Sequence, residues 1–361
     1  MATQTLRDRV LKSGSIKIAS TLSESKYFNN KEFIKTNLPI LNIALSGDPE
    51  GGLTSGFSVI SGMSKSFKTL LALYMLKAYM DKHPDSICLF YDSEFGAPPA
   101  YFSFFKLDTN RIIHIPILHV EELKFDLVKR LGSLSRGDKV FIFLDSLGAL
   151  PSKKEVDDAI DEKSVADMTR AKAIRSCLRV VVPYLTVLDI PFIAINHVYQ
   201  TLEMFAKTVI PGGQQVTLAA NTIFVITKAQ VKDLNTGEIT GWTYTINVDK
   251  SRFVREKTKF PFTVGYKSGI SKYSGLFEIA QEAGIIIPGE KKGKHLLVDP
   301  VTGEIGEPFK VKATNTKEFW NPILTSKKFK DFVVDRYQLA NEAMEDEDEY
   351  PVDEHEDETD E

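Results

Sequence analysis

At 361 residues, 43% apolar and 26% charged, the chain has the composition of an ordinary soluble protein, long enough for one large α/β domain with smaller appendages or for two domains. Its two cysteines, Cys88 and Cys177, lie inside apolar runs, which excludes a disulfide framework and leaves no metal-ligand spacing. The net charge of -4 hides an asymmetry: thirteen of the 49 acidic residues, and no Lys or Arg, fall in 342–361, so residues 1–341 carry 36 acids against 45 bases, a net +9.

Such a block of like charge predicts a disordered, solvated tail over 342–361. It is also suited to mimic a polyanion and compete with nucleic acid for the basic body. Early interruption by Arg7, Asp8 and Arg9 leaves no apolar core for a signal peptide. The longest apolar tract, 178–195, is broken by Pro183, Asp189 and Pro191, so no membrane partner is expected and the expected compartment is the cytoplasm.

In chain order, Leu6, Val10 and Leu11 stand at helical spacing among basic residues, a short amphipathic helix too small to fold alone and expected to dock on something. A linker rich in Ser, Thr and Asn follows, then an apolar pattern at 35–45 and a turn at 47–52 containing Asp48-Pro49 and Gly51-Gly52. A short strand at 57–60 leads through Gly62-Met63-Ser64-Lys65-Ser66-Phe67-Lys68-Thr69 into a helical pattern at 70–80. Continuous apolar runs at 87–91, 140–144, 192–195 and 223–226, with helical patterns at 121–134 and 165–188, predict a parallel sheet covered on both faces. Alternation of Trp242, Tyr244, Ile246 and Val248 with polar residues, and the turn Asn235-Thr236-Gly237-Glu238, predict an antiparallel hairpin within 230–265 that extends it. After Gly275 come a short helix ending at Gly284, a Gly- and Lys-rich connection and a final helix near 327–343.

Ligands bind at the carboxyl ends of such strands. The first of those ends is a phosphate-binding loop by pattern: backbone N–H groups and a helix N-terminus cradle phosphates, Lys68 neutralises the β/γ oxygens and Thr69 holds Mg²⁺. Phe67 stands where the second glycine of G-x-x-x-x-G-K-[ST] belongs. Asp145 closes the run 140–144, which suits support of Mg²⁺, although a lone strand-end Asp more often caps a turn. At the end of 87–91, Glu94 and Asp92 compete for the role of orienting and deprotonating the water that attacks a γ-phosphate, and the residues alone leave that open. His197, beside Asn196 at a strand end, suits a γ-phosphate sensor, although most histidines are structural or solvated. The long connection 198–217 carries Met204, Phe205, Gly212 and Gly213; its Met and Phe suit stacking on bases, or packing back on the sheet.

The order of Gly62 to Thr69, Tyr91-Asp92-Ser93-Glu94, Leu144-Asp145-Ser146, Ile195-Asn196-His197 and Gly212-Gly213 resembles the RecA-type homologous recombinases, over about residues 5–340. The likeness is nearest to the UvsX recombinases of T-even-like phages, which share Ser66-Phe67-Lys68, the run from Phe90 to Gly96 and the run from Asp167 to Lys172. The resemblance implies an N-terminal oligomerisation arm (1–45), a RecA-like P-loop ATPase core (46–275), a small C-terminal module (276–341) and the acidic tail (342–361). It implies ATP and Mg²⁺ as cofactors, a helical filament on single-stranded DNA, pairing with homologous duplex DNA, a recombination mediator and a single-strand-binding protein as partners, and the host cytoplasm as compartment for a phage-encoded chain. By position, Gly62, Ser64, Lys65, Ser66, Phe67, Lys68 and Thr69 would hold the nucleotide with Asp145, Glu94 would be the base and Tyr101 would stack on adenine. His197 replaces the glutamine more usual after Asn196 in bacterial members. Lys250 and Arg252 fall near paired cations that reach across the subunit interface to the γ-phosphate. Two DNA loops would span 153–164 and 198–213, with Arg170 and Arg175 on the helix after the first. That first loop is acidic, through Glu155, Asp157, Asp158, Asp161 and Glu162, so backbone N–H groups and flanking cations are expected to do most of its binding.

A ring helicase on the same core and a non-catalytic DNA-coating protein are the rival functions, the second suggested by Phe67. For Phe67 itself the expectation is an ordinary backbone with φ not positive, the ring turned away from the phosphates and the N–H free for them.

Overall fold

The computed structural model of the chain describes residues 5–29, 31–162, 169–200, 208–209, 211–233, 236–267 and 269–339. Helix α1 (Leu6–Ser13) is closed by a capping box between Thr5 and Asp8 and buries none of its residues. A four-residue helix α2 (Lys26–Asn29) follows, and α3 (Pro39–Ser46), with proline at its start and Gly47 in the left-handed region at its end, is buried along its whole length.

The core alternates strand and helix: β1 (Gly56–Gly62), α4 (Lys68–Lys82), β2 (Ile87–Asp92), α5 (Pro99–Phe104), β3 (Ile112–Pro116), α6 (Val120–Ser133), β4 (Val140–Asp145), α7 (Lys153–Ile160), α8 (Thr169–Leu188) and β5 (Pro191–His197). The two-residue strands β6 (Tyr199–Gln200) and β7 (Thr208–Val209) pair with each other, and α9 (Gln214–Ala219) leads into the long antiparallel strands β8 (Thr222–Lys232), β9 (Ile239–Ser251) and β10 (Lys259–Gly265), with β11 (Gly269–Ile270) at the edge. The remaining elements are α10 (Leu276–Glu282), the hairpin β12 (Ile286–Pro288) and β13 (His295–Leu297), α11 (Lys317–Thr325) and α12 (Lys327–Tyr337).

Among the described residues the main sheet has nine strands in the order β11-β10-β9-β8-β1-β5-β4-β2-β3. It is parallel from β8 to β3 and antiparallel from β8 to β11. Two-residue alternation splits each central strand between two cores. In β4, Phe141 and Phe143 pack with Leu73 and Leu76 of α4, whereas Ile142 and Leu144 pack with Leu127 of α6 and Val181 of α8. That is why the central strands read as unbroken apolar runs. Trp320, Phe329 and Tyr337 of the C-terminal helices join the α3/α4 core.

One strand escapes the sequence reading and two expectations need correction. The run 112–116 forms the edge strand β3, which the sequence conceals because His114 and Pro116 interrupt a strand that is half-exposed. The last helix stops at Tyr337, because the next two residues turn away to pair with the 253–254 segment: Gln338 bridges Val254, and Leu339 N donates to Phe253 O. The start of the first DNA loop is helix α7, nucleated by a capping box in which Ser152 accepts from Glu155 N. Residues 163–164 of that loop and the acidic tail lie outside the described residues. No helix among the described residues is long and apolar enough to cross a membrane.

Candidate active site

Register places the strand ends together. Gly62 pairs with His197 across β1 and β5, and Asp92 with Asp145 across β2 and β4, all at the carboxyl edge. Between them opens a cavity of about 400 Å³, lined by the loop from Ser64 to Thr69 and by Glu94, Tyr101, Asp145, His197 and Tyr244.

Helix α4 begins at Lys68 with no side-chain cap on its first N–H groups. Those orphan donors and the positive end of the helix dipole suit an anion at the cavity. Lys68 is almost wholly buried and its Nζ donates to Met63 O at 2.8 Å. Burial lowers its pKa, while Asp145 and Glu94 oppose that shift. Thr69 Oγ1 donates to Asp145 Oδ2 at 2.8 Å. Burial pushes the Asp145 carboxyl up to about 6 against that hydrogen bond, and the neighbouring Glu94 and Asp92 charges add to the rise. A buried carboxylate beside a hydroxyl is a hard oxygen donor pair short of positive charge, which fits Mg²⁺ completing its shell with phosphate oxygens and water. Among the described residues no group of three or more His, Cys, Asp or Glu side chains could hold a metal alone.

The two rival carboxylates part company. Asp92 is 3% exposed and spends Oδ1 on the N–H groups of Glu94 and Phe95, and Oδ2 meets His114 Nε2 at 3.2 Å. Glu94 instead faces the cavity, where its Oε1 accepts from Ser146 Oγ and lies 2.6 Å from His197 Nε2. Burial raises its pKa, but those two hydrogen bonds and the charges of His197 and Lys68 outweigh burial and hold it below the usual value. Gly148 lets the 146–149 turn approach this pair: a Cβ there would stand 2.7 Å from Asn196 Oδ1 and 3.1 Å from His197 N. Asn196 Nδ2 donates to Pro211 O, tying the His197 strand end to the segment bearing Gly212 and Gly213, whose φ values are 106° and 75°.

Phe67 departs from expectation. Its backbone is in the left-handed region, φ 68° and ψ 11°, so the expected absence of positive φ is wrong. The turn that aims successive N–H groups inward imposes this conformation on whatever residue precedes the helix, at a typical cost of about 1–2 kcal/mol for a non-glycine residue. Its ring packs tilted against Tyr244, centroids 5.2 Å apart, and edge-on to Phe262 at 5.7 Å, contacts that typically contribute about 0.5–1.5 kcal/mol each beyond burial and so offset the strain.

Other sites scatter. Lys250 Nζ donates to Thr217 O and Leu218 O, and both it and Arg252 sit where β9 ends beside the start of β8, at the edge opposite the cavity. Within one chain they do not join Lys68 and Glu94. The Arg170 guanidinium is half-buried and donates to the carbonyls of Leu147, Gly148 and Leu150, so it braces the 147–150 turn; Arg175 is exposed on α8. Met204 and Phe205 lie outside the described residues. Sequence reasoning misses Ser146 and Tyr244: the first is visible as the residue after Asp145, the second reads as a strand residue only.

The sequence profile described as the RecA N-terminal domain matches residues 10–271, and the one described as "Bacteriophage T4, Recombination and repair protein, C-terminal domain" matches residues 273–333. The chain is 44% identical over 349 residues to the recombination and repair protein of Enterobacteria phage T4, covering 94% of this chain and 88% of that one. It is 26% identical over 262 residues to Protein RecA of Bifidobacterium breve, covering 71% of this chain and 64% of that one, and 26% identical over 261 residues to Protein RecA of Aquifex aeolicus, covering 70% and 71%.

Proposed function

The chain belongs to the RecA family of recombinases, and from that premise we propose that it hydrolyses ATP to drive DNA strand exchange as a helical filament on single-stranded DNA, in recombination, recombination-dependent replication and repair. The observation that carries this reading is the convergence of Lys68, Thr69, Asp145, Glu94 and His197 on one cavity at the head of α4.

In this reading the N-terminal amides of α4 and Lys68 bind the phosphates, while Thr69 and Asp145 hold Mg²⁺. Held there, the ion would supply neutralisation of phosphate charge. Glu94, ionised at neutral pH, takes the proton of the attacking water. His197 exchanges its bond to Glu94 for one to the γ-phosphate, and the Asn196–Pro211 hydrogen bond passes that change to the Gly212-Gly213 segment, where DNA binds. Lys250 and Arg252 reach the nucleotide of a neighbouring subunit, which is why they lie far from their own cavity. A triphosphate held between subunits favours the assembled filament and hydrolysis releases it. Homologous duplex DNA, a mediator and a single-strand-binding protein complete the partners of this proposal, with residues 1–45 as the oligomerisation arm, 46–275 as the ATPase core and 276–341 as the C-terminal module.

Transfer of a strand from a homologous linear duplex to circular single-stranded DNA, dependent on ATP, tests the reading. Duplex unwinding without homology would instead indicate a helicase. Deletion of residues 342–361 is expected to strengthen DNA binding, most on duplex and at low salt, because it removes thirteen carboxylates from a chain whose remainder carries +9. Equal affinity of the parent and truncated chains at low salt would leave the tail a solubility role alone.

A further inference from the structure

We propose that Phe67 is a positioning residue that holds the phosphate loop in its binding shape before any nucleotide arrives. The inference rests on the nucleotide-site reading above. A glycine at this position lets the loop adopt the left-handed turn freely but gives it nothing to hold on to. Phe67 reverses both properties. Its ring is wedged between the loop and the antiparallel half of the sheet, against Tyr244 of β9 and Phe262 of β10, which stack on each other with centroids 5.6 Å apart. One further tie reaches the loop from the same side: Lys228 Nζ of β8 donates to Lys65 O at 3.1 Å. Lys228 is exposed and itself rests over the Trp242 ring, so it is the weaker tether. Ser66 and Lys68, on either side of Phe67, are buried, so a displaced ring would carry both with it.

The aromatic clamp therefore selects the loop conformation in which Lys68 and the α4 amides already converge. When the competent conformation falls to about a tenth of the population, the apparent dissociation constant rises about tenfold. Phe67→Gly, which restores the usual glycine, is expected to raise the Kd and KM for ATP about tenfold with a smaller loss in kcat, and to speed amide exchange of residues 63–67 in the nucleotide-free protein. Tyr244→Ala attacks the clamp from the other side with the loop sequence intact and is expected to do the same; Tyr244→Phe, which keeps the ring, raises KM less.

Full-length variants are compared by titration with MgATP, steady-state turnover, thermal unfolding and hydrogen exchange. Phe67→Gly binding ATP as tightly as the parent, or a lowered Tm with unchanged affinity and unchanged loop exchange, would overturn the clamp and leave the ring as core filling. A parent protein that does not bind ATP sinks the nucleotide reading instead, and exchange at 63–67 in the ligand-free variants still decides the clamp.

Discussion

Lys68→Ala is expected to lower ATP turnover at least about a hundredfold, the loss typical of removing one preorganised charge stabiliser from a transition state. The ammonium is buried against Met63 O at the mouth of α4, where it faces the space in which phosphate charge would sit. Its counterweight matters as much as its own charge. Without it, Asp145 and Glu94 would meet a polyanion without the buried cation that their charges act on, since Lys250 and Arg252 lie at the opposite edge of the sheet. Binding should therefore weaken together with turnover, which a coupled ATPase assay and nucleotide titration read separately. Turnover within about tenfold of the parent would remove Lys68 from the machinery.

Glu94→Gln separates binding from chemistry. The amide keeps the size of the carboxylate and can still accept from Ser146 and His197, so ATP and single-stranded DNA binding should persist. What it loses is the ability to take a proton, and turnover should fall about 10²–10⁴-fold. The variant should consequently hold filaments in the ATP-bound state. Asp92→Asn provides the contrast, because Asp92 is buried in a backbone-capping role and its loss should disturb the 94–95 loop rather than remove a base. Hydrolysis by Glu94→Gln at the parent rate would show the base assignment to be wrong.

Strand ends in a parallel sheet are legible in the amino-acid sequence, because a charged residue closing an apolar run, such as Asp145, has few places to go. The choice between Asp92 and Glu94 is not, since it depends on which oxygen the 94–95 amides capture, a matter of turn geometry within four residues. Phe67 is legible as an anomaly but not in its conformation: the loop sets φ, while the compensating partners Tyr244 and Phe262 are 177 and 195 residues away along the chain. Strand β3 escapes because a half-exposed edge lacks both clean alternation and a fully apolar run. The segment after Ser152 is a loop only by the family resemblance, and the capping box that makes its start helical, Ser152 with Glu155, is a local signal that the resemblance does not carry. Arg170 shows the limit of carrying a role by position, because three carbonyls of the 147–150 turn hold its guanidinium.

Under the proposed function Lys250 and Arg252, at the sheet edge opposite their own cavity, act on the nucleotide of a second subunit, so assembly is its central claim. Electron microscopy of the full-length protein with single-stranded DNA, Mg²⁺ and ATP tests this directly. Continuous helical filaments that require nucleotide, and that persist longer for Glu94→Gln than for the parent, are the predicted result. Closed rings, or DNA coated equally with and without ATP, would contradict it.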